Sequence, residues 1–247
     1  MRFTDWEPIY ERIIADMGYE RDDDESAVRV LKAVTINCDL VDPDDLKPLF
    51  GDVCTVFGDA DRLDADLDSR PIEGTLVAAG SAVVRLLRRG ILPDVVVTDL
   101  DGDMPSQLEA SRRGAVTFVH AHGDNTDAIR EWAWRFEGPM VLTTQSRPES
   151  TVFDFGGFTD GDRAVCIAQE MGSRMIRLMG FDFDNPRIKD GKDPAVKLRK
   201  LHWARDILSG LEGIDISMPD GSSLTHHLRL RFSAEPFIEV GHVRNRR

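Results

Sequence analysis

Apolar residues along most of this chain fall into two alternating rhythms. Short β-branched runs end in glycine or polar turns, and segments with helical spacing follow them. Val53-Cys54-Thr55-Val56-Phe57, closed by Gly58, reads as a buried strand, and Thr75-Leu76-Val77-Ala78-Ala79, closed by Gly80, as the next. A helix is predicted from Ser81 to Arg89, where Gly90 ends it, and Pro93-Asp94 opens a third strand through Val95-Val96-Val97. The rhythm continues as helix Ser106–Arg113, strand Ala115–His120, helix Thr126–Phe136 and strand Met140–Thr144. Helix Asp162–Met171, strand Met175–Gly180 and a long helix near Ala195–Leu208 complete it. Such alternation predicts an α/β fold: a mostly parallel, Rossmann-like sheet with helices on both faces.

The ends of the chain follow other patterns. Trp6, Ile9, Tyr10, Ile13, Ile14 and Met17 form one apolar stripe on a helix from Thr4 to Met17, stopped by Gly18. The cluster Arg21-Asp22-Asp23-Asp24-Glu25 reads as a solvated loop and helix N-terminus, where negative charge is favoured, leading into a helix from Ser26 to Ala33. Gly213 to Val240 holds short β-like pieces with little periodicity. The expected organisation is a helical N-terminal module over residues 1–50, an α/β catalytic domain over 51–212, and a C-terminal segment over 213–247 packed on that domain.

Composition narrows the function classes. Of 247 residues, 41% are hydrophobic, enough for a substantial core, and the net charge is −13. That charge argues against general nucleic-acid binding, which needs a clustered basic surface. It leaves room for an anionic substrate, because a few arginines and a metal reverse the field inside one cleft. The three cysteines, Cys38, Cys54 and Cys166, show neither zinc spacing nor a disulfide framework, and buried reduced thiols are expected for the last two. Met1 to Tyr10 lacks a signal-peptide core and no run reaches membrane-span length, so the cytoplasm is the expected location, with no membrane partner.

Candidate chemistry gathers at predicted strand ends, where open α/β sheets bind ligands. Val95-Val96-Val97-Thr98 delivers Asp99, Asp101 and Asp103 at alternate positions, an oxygen-rich set suited to a hard cation such as Mg²⁺. Gly58 ends another strand, and Gly80-Ser81 sits at a strand-to-helix turn suited to phosphate. His120 and His122 alternate at a fourth strand end, where they read as phosphate or substrate hydrogen-bonders, or as packed histidines. Asp124 and Asn125 follow and suit a helix N-cap, and Thr144-Gln145 closes a fifth strand. In Gly156-Gly157-Phe158-Thr159-Asp160-Gly161-Asp162-Arg163, Phe158 offers a stacking face and Arg163 a charge for phosphate. Lys197 and Lys200 lie one turn apart on the late helix, where solvating its outer face is the commoner role, and Trp132 and Trp134 read as packing residues.

These motifs together carry a resemblance. Ala78-Ala79-Gly80-Ser81-Ala82, a helix, Pro93-Asp94 and Val97-Thr98-Asp99-Leu100-Asp101 are similar to the core of thiamine pyrophosphokinases, with Thr98 and Gly102 where that family has glycine and serine. The Asp99-Leu100-Asp101-Gly102-Asp103 form resembles more fully the archaeal 6-hydroxymethyl-7,8-dihydropterin pyrophosphokinases. So do His120 to Asn125, the Gly156–Arg163 loop, Gly180-Phe181-Asp182 and Trp6-Glu7-Pro8-Ile9-Tyr10. Asp59 in Gly58-Asp59-Ala60-Asp61 departs from the Gly-x-Gly-Pro-Ser-Leu turn frequent in relatives.

The resemblance implies diphosphate transfer from ATP to a reduced pterin alcohol, giving AMP. Asp99 and Asp101 would then be catalytic carboxylates holding Mg²⁺, with Asp103 a further ligand. Gly58, Gly80, Ser81, His120, His122, Asp124, Asn125, Thr144, Gln145, Phe158 and Arg163 would bound the nucleotide and pterin cleft. A homodimer is also implied. Three alternatives share the acidic motif: a haloacid-dehalogenase-type phosphatase with Asp99 as nucleophile, a sugar-nucleotide transferase, and a nucleotide-binding module without turnover.

Overall fold

The computed structural model describes residues 1–187 and 193–225. Its strands are β1 (Val53–Phe57), β2 (Thr75–Ala79), β3 (Val95–Thr98), β4 (Val116–Ala121), β5 (Met140–Thr144), β6 (Met175–Met179) and β7 (Asp215–Ser217). The helices are α1 (Phe3–Met17), α2 (Arg21–Val34), the short α3 (Pro43–Leu46), α4 (Leu63–Ser69), α5 (Val83–Arg88), α6 (Met104–Arg112), α7 (Thr126–Trp132), α8 (Asp160–Glu170) and α9 (Pro194–Ser209). Every strand pairing is parallel, in the order β5-β4-β3-β2-β1-β6-β7. The predicted α/β class therefore stands, with a wholly parallel sheet among the described residues.

The sheet is parallel because its strands are apolar on both sides and need cover on both. Cys54, Val56, Val77, Val95, Val97 and Phe118 face a core closed by α1, α8 and α9. The alternate positions Phe57, Ala78 and Val96 face the opposite way, under α4, α5 and α6. Further along that second face, Val119, Ala121, Met140 and Leu142 pack beneath α2 and α7. Trp6, Tyr10 and Ile13 of α1 are wholly buried in the first core. Each such side chain contributes about 1.5–3 kcal/mol through burial.

Successive connections run outward from β1 to β5, and α8 then carries the chain back to β6 on the other side of β1. The direction reverses between β1 and β6, the position where such sheets open a crevice at their carboxyl edge. Two glycines let the backbones meet there. A Cβ on Gly58 would lie 2.6 Å from the Gly180 carbonyl oxygen, and one on Gly180 would lie 2.3 Å from that of Gly58.

Three local expectations are corrected. The acidic cluster at 21–25 is the expected helix N-terminus, with Asp22, Asp23 and Asp24 in the first turn where free N–H groups favour negative charge, but the helix starts at Arg21 and not at Ser26, so no loop is left in it. Asp24 is not solvated but buried, accepting hydrogen bonds from Tyr10 Oη (2.7 Å), Gly123 N (2.7 Å) and Gln145 Nε2 (2.9 Å). The segment between β1 and β2, given no element in the sequence reading, forms α4, which Asp64 and Asp68 tie to Arg85 and Arg89. Cys54 and Cys166 are buried free thiols, as expected, and burial pushes both pKa values up, that of Cys166 to about 12. Of the expected β-like C-terminal stretch, β7 is present, while residues 226–247 lie outside the described residues. Among the described residues no helix is long and apolar enough to cross a membrane.

Candidate active site

The acidic turn after β3 is held from several directions. Buried Thr98 accepts a hydrogen bond from Leu100 N (2.8 Å), and Leu100 sits at φ 65°, a left-handed conformation that non-glycine residues seldom adopt. Only 4% of Leu100 is exposed, since its side chain anchors in the core beneath α2 and α7. Gly102 follows at φ 95°. The side chain of Asn125 donates to the Asp99 carbonyl (2.8 Å) and the His120 carbonyl (2.7 Å), and accepts from His122 N (3.0 Å). Gln107 Nε2 donates to the Asp101 carbonyl (2.9 Å). Strained backbone braced this heavily is characteristic of functional turns.

The start of α8 closes on this turn. Gly157, at φ 91°, lies so close to Arg163 that a Cβ would come within 2.5 Å of the Arg163 Cα. Asp162 caps the helix, accepting from Phe158 N (2.6 Å) and Thr159 N (2.7 Å). That cap fixes Asp160, whose Oδ2 accepts from Asp99 N at 3.4 Å and whose Oδ1 pairs with Arg163 Nη1 at 3.0 Å. Burial raises the Asp160 pKa well above the carboxylate range; the Asp99 charge adds to the rise, and Arg163 opposes it. His122 Nε2 lies 3.5 Å from Asp99 Oδ2. Three carboxylates, Asp99, Asp101 and Asp160, thus share one edge with a buried guanidinium and an imidazole.

A cavity of about 790 Å³ opens over this edge. Its floor includes Gly58, Ser81, Asp99, Asp101 and Asp103. His122, Asp124, Asn125, Gln145, Phe158 and Arg163 line its sides. Among the described residues no three His, Cys, Asp or Glu side chains are grouped so as to hold a metal unaided. The donor set still suits Mg²⁺, which is commonly bound by one or two carboxylates together with substrate phosphates.

The sequence profile described as 6-hydroxymethylpterin diphosphokinase MptE-like matches residues 63–187. Three curated relatives are named 6-hydroxymethyl-7,8-dihydropterin pyrophosphokinase. The Pyrococcus furiosus protein is 42% identical over 224 residues, covering 86% of this chain and 95% of the relative. The Methanothermobacter thermautotrophicus protein is 37% identical over 219 residues, covering 84% and 94%. The Methanocaldococcus jannaschii protein is 28% identical over 232 residues, covering 86% and 96%. The chain belongs to this MptE-like family.

Not every residue singled out by likeness to the MptE-like family reaches the cavity. Gly80 lies behind it, because a Cβ there would meet Thr98 Oγ1 at 2.7 Å and Gln107 Nε2 at 3.0 Å. Close packing against the acidic turn is what requires glycine there, and Ser81 beside it is the residue of this strand-to-helix turn that lines the cavity. His120 is fully buried, its Nδ1 lies 3.0 Å from Thr143 Oγ1, and burial holds its pKa well below the usual histidine value. It is a packed histidine. Thr144 is also buried, its hydroxyl accepting from Ser146 N at 3.1 Å. Asp103 lines the cavity, but its Oδ2 caps α6 by accepting from Ser106 N at 3.0 Å.

Other wall residues of this family member were assigned no site role from sequence. Asp160 lies between Phe158 and Arg163, and the capping box of Thr159 and Asp162 is the pattern in the sequence that places it in the first turn of α8. Lys197 and Lys200 line the cavity, which corrects the solvating role expected for them; Trp132 packs against the core beneath α2 and α7 as expected and lines the cavity as well, whereas Trp134 is 55% exposed and does not pack as expected. Lys200 Nζ lies 5.4 Å from the Tyr19 ring centroid and 5.5 Å from that of Phe158, because α9 packs this face toward the site.

Proposed function

We propose that this chain is a diphosphotransferase that moves the terminal diphosphate of ATP to 6-hydroxymethyl-7,8-dihydropterin, giving AMP and the pterin diphosphate. The observation that carries the proposal is the convergence of Asp99, Asp101 and Asp160 with Arg163 at the sheet's carboxyl edge, beneath a cavity of about 790 Å³. That volume suits two heteroaromatic substrates side by side. The names of the relatives supply the acceptor, and the acidic turn supports a metal–nucleotide donor.

Asp99 and Asp101 would hold Mg²⁺ together with the phosphate oxygens; when bound, the ion neutralises triphosphate charge. The remaining work belongs to side chains and backbone. The braced turn keeps the two carboxylates at one position, so that the acceptor hydroxyl meets the β-phosphorus in line. The bond from the hydroxymethyl oxygen to that phosphorus forms as the bond from the phosphorus to the oxygen shared with the α-phosphorus breaks. The electron pair departs with AMP, and the hydroxyl proton passes to a carboxylate of the pair. Arg163, fixed by Asp160 and the Phe158 carbonyl, offsets the charge beside the phosphates.

Incubation with ATP, MgCl₂ and a panel of alcohols, separating AMP from ADP and phosphate, tests this. AMP is expected only with the pterin alcohol, and Asp101→Ala should abolish it while the unfolding midpoint stays close to wild type. Inorganic phosphate as the product would point to a hydrolase, and full turnover without divalent cation would overturn the proposed role of the carboxylates.

A further inference from the structure

The cavity straddles the carboxyl edge of the sheet, and its two walls belong to different cores. Leu100 and Met104, with Ala128 and Trp132 packed beside them, belong to the core beneath α2 and α7. Phe158, Phe181, Phe183 and Ala204, with Tyr19 beside them, belong to the core on the opposite face. The acidic turn lies between.

The cations divide the same way. Among the described residues the lysines and arginines lining the cavity are Arg163, Arg187, Lys197 and Lys200, all on α8, α9 or the segment after β6. The opposite wall carries Asp103 and Asp124, with no lysine or arginine lining it. The first wall also carries Asp59, Asp160, Asp182 and Asp193, with Asp59 paired to Arg187 at 2.8 Å and Asp160 to Arg163 at 3.0 Å, so its charges balance while the second wall is acidic, and a triphosphate is repelled less by the first than by the second. A neutral ring rich in N–H donors gains from carboxylate acceptors and an aromatic face, and needs no cation.

Trp132 is held for such a role. The Arg135 guanidinium lies over its ring at 4.6 Å and over the ring of Trp134 at 5.1 Å, stacking the three side chains at the end of α7. Trp134 is 55% exposed and outside the cavity, so the stack braces Trp132 from the solvent side.

We infer that the two walls separate the two substrates: the pterin ring stacks on Trp132 of the α6–α7 wall, and the triphosphate lies along Arg187, Lys197 and Lys200 of the opposite wall. This rests on the reading under Proposed function. It places the attacking hydroxyl and the departing AMP on opposite sides of the β-phosphorus, as in-line displacement requires.

Steady-state kinetics and ligand titrations of the full chain test the division. Trp132→Ala should raise the KM for the pterin alcohol about tenfold or more while the KM for ATP stays within about twofold, since stacking is worth roughly that factor. Trp132→Phe should recover most of the loss. Lys200→Met should do the converse, raising the KM for ATP about tenfold with the pterin KM little changed. Without ATP, the pterin alcohol should quench tryptophan fluorescence in wild type and Trp134→Phe, and Trp132→Phe should lose most of that quench. The converse split, with Trp132→Ala weakening ATP and sparing the pterin, would overturn the division, as would an undiminished quench in Trp132→Phe. Failure of wild type to form AMP would instead sink the diphosphotransferase reading, and the two failures are read in separate assays.

Discussion

The amide of Asn125 ties the ends of β3 and β4 together, engaging the carbonyls of Asp99 and His120 and the N–H of His122. Asn125→Ala leaves these buried groups unpaired, so urea unfolding should show a loss of about 1–3 kcal/mol, and AMP formation should fall at least tenfold. Gly80 acts on the same turn from below. Gly80→Ala should displace Thr98 and Gln107 and lower activity without removing any group that touches substrate, which a KM-against-kcat comparison would read as a fall mainly in kcat. Asp154 gives a pH signature. Burial raises its pKa from 3.8 to about 7, against the opposing hydrogen bond from Gly156 N and the charge of Arg163. The folded state therefore keeps a proton that the unfolded state loses above about pH 4, so this residue's contribution is favourable in acid and declines as pH rises toward 7. The decline is on the order of 2–4 kcal/mol, and Asp154→Asn should flatten stability between about pH 4 and 7. At this scale the sequence identified Asp99 and Asp101 by their alternation after a valine run. It could not separate His120 from His122, because period-two alternation says they differ without saying which one is buried.

At the scale of elements, the cap of α8 links helix stability to the site. Asp162→Ala removes the acceptor for Phe158 N and Thr159 N, and should cost about 1–2 kcal/mol in thermal or urea unfolding. It also loosens Asp160 and Arg163, so activity should fall by more than the stability loss explains. A Thr159→Ser variant, which keeps the hydroxyl partner of Asp162, should fall much less. Strands β1 to β6 were legible because each is a short apolar run ended by glycine or a polar turn, and β5 at Met140–Thr144 has the predicted limits, whereas β7, Asp215–Ser217, has a single apolar residue. The start of α2 and the whole of α4 were not legible. Both are rich in aspartate, which has poor intrinsic helix propensity, and both are supported by partners distant in sequence, such as Tyr10, Gln145, Arg85 and Arg89.

At the scale of the whole molecule, topology explains why these residues meet. The reversal between β1 and β6 opens the carboxyl edge, and β3, β4, β5 and the loop into α8 each deliver one part of the site to it. The sequence showed the strand ends but not their spatial order, and that order decides which end faces which. Hence Lys197, Lys200 and Trp132, read singly as surface or packing residues, became cavity walls only in three dimensions. A chain with a net charge of −13 sets Arg163, Arg187, Lys197 and Lys200 beside the carboxylates of one cleft, where together with a bound metal they would hold a triphosphate so that its diphosphate moves whole. Turnover of ATP labelled separately at the α- and β-phosphorus, with the pterin alcohol as acceptor, tests it most directly. The account predicts that β-label passes into the pterin product and α-label into AMP; α-label in the pterin product, or β-label released as free phosphate, would contradict it.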